Sequence, residues 1–246
     1  MKSYLLVASL LVLLMTNLFA EVKNGYERDM PGLRASLKCL RDMISNEQHL
    51  SNAQKRNIKA RIRQLVDYMV YYEITDTLLR QFRTIAPELY GQMDTLKNCK
   101  GKIVDVYVKF IPKQGAKFPG AGMASFSPTF DDLNTCSSEY GPGSVSVRVW
   151  ILNKALWVLS HEFGHLNYVV PNMMSYVDFY RMRYRTGTFE PTMGHRPDDP
   201  SGRSAIMFEG RFRESYFRYL RKDFNAVVSP MVLVNPIKRG LLQDDE

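Results

Sequence analysis

Four histidines occur in the 246-residue chain, and two of them stand four residues apart in LSHEFGHLNY, residues 159–168, with a glutamate directly after the first. On a helix, residues four apart share one face with their Cβ atoms about 6 Å apart, so His161 and His165 can aim both imidazoles at a single ion. Glu162 projects about 100° away, too far round to be a third ligand on the same helix but well placed to hold a water beside that ion. Two imidazoles on a metal and a carboxylate on a water are the parts of metal-assisted hydrolysis.

The helix that must carry them is largely apolar. Leu156, Val158, Leu159, Phe163 and Leu166 surround the polar trio, so the histidines are expected to be buried and to need partners. Gly164 costs such a helix about 1 kcal/mol relative to alanine, which predicts a close approach by another backbone or by the metal site. Asn153 is expected to cap the helix, and Pro171 to close it.

ALWVLSHEFGHLNY resembles the active-site helix of the zincin metallopeptidases. That resemblance implies zinc as cofactor, His161 and His165 as two of its ligands, and Glu162 as general base. Strands leading into this helix and a second helix after it also match the order of elements in that family. The three-histidine branch, HExxHxxGxxH, is excluded, because Tyr168 and Pro171 occupy its glycine and final histidine positions. A gluzincin-like branch, with a glutamate from a later helix, remains.

Downstream candidates for that ligand are Glu190, Glu209 and Glu214, with Asp178 and His195 as outsiders. In SAIMFEGRFRESYFRYL the inward stripe is expected to be Ile206, Glu209, Phe212, Tyr216 and Leu220, which places Glu209 in an apolar row where an unpaired carboxylate is expensive. Glu214 falls among Gly210, Arg211, Arg218 and Arg221, a polar face suited to a surface ion pair. Glu209 is therefore the favoured ligand. The gluzincin-like pattern implies an acidic residue four positions further on to orient a histidine, and here Arg213 stands there. The resemblance also offers His195, in the loop before this last helix, as a group that stabilises an oxyanion; an ordinary loop histidine is the alternative. Asp198, Asp199 and Ser201 are expected to cap the last helix rather than bind calcium.

The surrounding elements give an α+β expectation: a small mixed sheet with the HExxH helix and a later glutamate helix, preceded by a helical region. Residues 21–98 read as that helical region. One stripe runs through Leu33, Leu37, Leu40 and Ile44. A second follows the Ser51–Gln54 capping box through Ile58, Ile62, Leu65, Met69 and Tyr72. A third, from Leu78 to Leu96, is broken at Pro87. Residues 99–221 form the catalytic part, with strands in KIVDVYVKFIP, MASFSP and SVSVRVWI. Val145 to Ile151 is expected to be the edge strand and to bind an extended peptide by strand addition. Residues 222–246 form an irregular tail.

Residues 1–20 read as a cleaved signal peptide, an apolar run of about 15 residues being short for a membrane span. The mature chain is then exported, secreted or periplasmic, without a membrane span. Its charge would be +7, from 32 basic and 25 acidic residues. That excess is scattered, which argues against nucleic acid as a partner and leaves a peptide or protein as substrate. Cys39, Cys99 and Cys136 show no CxxC spacing, so their pairing and the oligomeric state stay open. An exported zinc metallopeptidase is the expected function. A catalytically inactive zincin-like binding module, or a structural zinc protein with a fourth protein ligand, are the alternatives.

Overall fold

The computed structural model describes residues 21–46, 49–112, 120–125, 143–188 and 198–222. The expected leader 1–20, the tail beyond residue 222, Cys136, Glu190 and His195 lie outside the described residues. The fold is α+β, mostly helical around one small mixed sheet. Its elements are β1 (Val22–Asn24), α1 (Met30–Ser45), α2 (Asn52–Ile85), α3 (Pro87–Asp94), β2 (Asp105–Phe110), β3 (Gly122–Ser125), β4 (Ser144–Val149), α4 (Ala155–Val169), α5 (Met173–Arg185) and α6 (Pro200–Lys222). Among the described residues no helix is long and apolar enough to cross a membrane.

The helices begin and end for local reasons. At the start of α2, Ser51 Oγ accepts from Gln54 N while Gln54 Oε1 accepts from Ser51 N, the reciprocal capping the sequence predicts. The second stripe and the first half of the third lie on this one 34-residue helix. It stops at Ile85 because Pro87 has no N–H to continue the ladder, and the same proline opens α3.

The sheet runs in the order β1-β2-β4-β3. The first three strands are parallel, with Val106 beside Val145 and Val108 beside Val147, while β3 is antiparallel to β4. This corrects the expectation for Val145 to Ile151. Strand β4 is interior, its valines fully buried, and β3 is the strand at that edge. Alternation of Ser, Val and Arg looks the same in an edge strand as in one flanked on both sides, so the sequence pattern could not separate the two.

Strand β1 was not expected, and its three residues are held by side chains rather than by length. Val22 N donates to Asp94 Oδ1, the Tyr90 hydroxyl donates to Val22 O, and Asn24 Nδ2 donates to Tyr72 O. Across residue 98 the core is continuous. Thr75 on α2 accepts from Phe110 N at the end of β2, and Phe82 stacks on Phe212 and meets Phe163 edge-on. That aromatic trio ties α2, α4 and α6 together beneath the histidines.

Candidate functional site

Helix α4 starts from a one-turn 3-10 helix, Leu152–Lys154, with Lys154 at its N-cap and no side-chain cap. Asn153 lies inside that turn and does not cap α4, which corrects the expectation. A helix with this much buried apolar surface is held by its packing and does not need the cap. Its C-terminal end falls at Val169, two residues before Pro171.

Helix α6 crosses α4 at Gly164. A Cβ there would lie 2.5 Å from Ala205 Cα, 2.8 Å from Phe208 Cβ and 2.8 Å from Ser204 O, so only glycine allows this crossing. Ser204 Oγ donates to Gly164 O at 2.7 Å and fastens the two backbones. The crossing sets the rotation of α6, whose inward stripe is Ala205, Phe208 and Phe212. Ile206 is 51% exposed, so its expected place in the stripe is wrong by one position. Glu209 sits at the margin of the stripe, half-buried, and Glu214 is exposed. Asp178, on α5, is exposed and pairs with Arg181.

This arrangement brings three of the expected site residues into contact. His165 Nε2 lies 3.1 Å from His161 Nε2. Two nitrogens bound to one tetrahedral ion at about 2.0–2.1 Å lie about 3.3 Å apart, so the pair has the spacing a zinc ion requires. Glu209 Oε2 approaches His161 on its other nitrogen, 3.4 Å from Nδ1, and Arg213 reaches Glu209 Oε1 at 3.5 Å. Among the described residues no group of three or more His, Cys, Asp or Glu side chains is arranged to hold a metal ion, and Glu209 stands on the Nδ1 side of His161.

Glu162 occupies the space between α4 and the edge strand. Its Oε2 accepts from Ala124 N on β3 at 2.7 Å, and the side chain is 5% exposed. Burial raises its pKa from 4.5 to about 7, against the smaller opposing effect of the Ala124 N–H. Gly122 makes this possible. A Cβ at that position would strike Val158 Cγ1 at 2.4 Å and crowd Glu162 Oε1 at 3.1 Å, so β3 lies on α4 only without a side chain there.

Two features were not found by sequence reasoning. Ser201 Oγ lies 2.7 Å from His165 Nδ1, and the edge strand supplies Ala124 N to Glu162. Neither a lone serine nor a single backbone amide leaves a periodic signal. The expected capping of α6 does occur, by Asp199: its Oδ1 accepts from Ser201 N at 2.7 Å and Gly202 N at 3.0 Å. Asp198 pairs with Arg183 instead. Asp199→Ala is expected to destabilise the protein by about 1–2 kcal/mol, measured by urea unfolding, since a lost cap of this kind leaves two N–H groups unpaired. Unchanged stability would show that the cap is dispensable.

The chain matches no family model, no curated protein and no solved structure.

Proposed function

We propose that this chain is a zinc metallopeptidase with a zincin-like, gluzincin-type site, hydrolysing peptide bonds in an exported compartment. The observation that carries the reading is a buried carboxylate, Glu162, fixed by a backbone N–H of the edge strand, one residue from a pair of imidazoles whose Nε2 atoms are 3.1 Å apart. A structural pair of core histidines has no use for that carboxylate, whose burial costs stability.

In this reading His161 and His165 would hold the ion through Nε2, and Glu209, whose carboxylate lies on the Nδ1 side of His161 in the metal-free chain, would swing to the Nε2 side to serve as the third ligand. Bound zinc would polarise the scissile carbonyl and acidify a water beside it. Glu162 accepts the proton from the attacking water and returns it to the leaving amine. A pKa near 7 suits both halves of that exchange at neutral pH. The outer edge of β3 takes the place first given to Val145–Ile151, as the strand along which an extended peptide would lie; Ala124 sits where that peptide would pass Glu162. His195 remains the proposed oxyanion group.

Elemental analysis of purified wild type and Glu209→Ala tests the assignment. Wild type is expected to hold one zinc per chain and Glu209→Ala a small fraction of that after dialysis against a weak chelator. A Glu209→Ala protein that keeps its zinc removes Glu209 from the ligand set. Wild type without zinc overturns the metallopeptidase reading.

A further inference from the structure

We propose that Ser201 is a positioning residue for His165, fixing through its hydroxyl which ring nitrogen faces the metal; the inference rests on the zinc reading above. Ser201 Oγ lies 2.7 Å from His165 Nδ1, and the residue is 1% exposed. Neighbouring groups hold Ser201 in turn. Asp199 Oδ1 accepts from Ser201 N, and the half-buried Tyr176 hydroxyl on α5 lies within hydrogen-bonding reach of Ser201 and Tyr180.

The chemistry requires a group of this kind. A histidine that offers its Nε2 lone pair to a cation carries its proton on Nδ1, and a buried Nδ1–H needs an acceptor. In the absence of a cation, two Nε2 atoms 3.1 Å apart cannot both be bare, so one ring keeps its proton there. A hydroxyl both donates and accepts, so Ser201 satisfies His165 Nδ1 in either tautomer, which a carboxylate could not do. The gluzincin-like pattern would orient a histidine with an acidic residue at position 213. Arg213 instead turns to Glu209, and Ser201, from the first turn of α6, takes over the orienting role for His165.

The experiment is a competition titration of the metal-free full chain with zinc against a chromogenic chelator, on wild type, Ser201→Ala and Ser204→Ala. Ser204 lies on the same helix and ties it to Gly164 O without touching either histidine, so it reports what loosening α6 alone does. Ser201→Ala is expected to bind zinc about 10- to 100-fold more weakly than wild type. Ser204→Ala is expected to keep wild-type affinity, and the melting temperatures of the metal-free proteins show whether each variant is folded. Equal affinity in Ser201→Ala and wild type overturns the role of Ser201 and leaves the zinc reading standing. Equal losses in Ser201→Ala and Ser204→Ala overturn it too, because helix packing then explains both. Wild type that binds no zinc overturns the proposed function itself.

Discussion

Glu162→Gln is expected to keep zinc and to lose hydrolysis of an unfolded protein substrate by about 10²- to 10⁴-fold, the range of a missing general base. The amide keeps an oxygen that can accept from Ala124 N, so the edge strand stays in place while the proton acceptor is gone. The same variant carries a second, opposite effect on the metal-free protein. Burial lifts the Glu162 pKa from 4.5 to about 7, so the folded chain holds this proton more tightly than the unfolded one. The stability this provides is fully present below pH 4.5 and is lost as pH rises through about 7. The difference amounts to about 3 kcal/mol. Glu162→Gln should therefore unfold at higher urea than wild type at pH 8 and at similar urea at pH 4.5. Lower stability of the variant at pH 8 would contradict a carboxylate held at a cost; undiminished hydrolysis would remove Glu162 from the mechanism.

Gly164→Ala is expected to be destabilising although it improves helix propensity. The new Cβ would meet Ala205 Cα, Phe208 Cβ and Ser204 O, all inside 3.0 Å. None of these atoms belongs to a side-chain end that can swing aside, so α6 itself must move. Overpacking of this kind costs up to about 3 kcal/mol, and the gain of about 1 kcal/mol in propensity leaves a net loss of about 2 kcal/mol. The shift also carries Ser201 and Glu209 away from the two histidines. Urea unfolding and zinc affinity should therefore fall together. A variant as stable as wild type would show that the two helices can part without loss.

Spacing made part of this legible. HEFGH on an apolar helix, the Ser51–Gln54 box, the break at Pro87 and the close approach implied by Gly164 each express a local rule that the packing keeps. The errors share a different cause. Ile206 and Ala205 differ by one step around α6, and which one faces inward is decided by the contact with Gly164, forty residues away. Strand β1 is too short to alternate and exists through Asp94, Tyr90 and Tyr72. Whether β3 or β4 lies at the edge depends on which neighbour pairs with β2, a question of topology that hydrophobic pattern does not address. In the site, Glu209 was singled out as a member of the inward apolar stripe, whose margin it occupies instead, whereas Ser201 carried no mark because its partner is reached only when α6 is docked.

The ring of Phe82 between Phe163 and Phe212 has a consequence for the order in which the molecule is made. A chain leaving the ribosome offers β1, α1 and α2 first, then the rest of the sheet and α4, and α6 last of the described elements. Until residue 201 has emerged His165 lacks Ser201, and until residue 212 has emerged Phe82 and Phe163 lack their third ring. Contacts across such long sequence separations form late. The histidine pair thus receives its supports only after α6 has followed it out, and over that stretch of elongation the candidate site is incomplete.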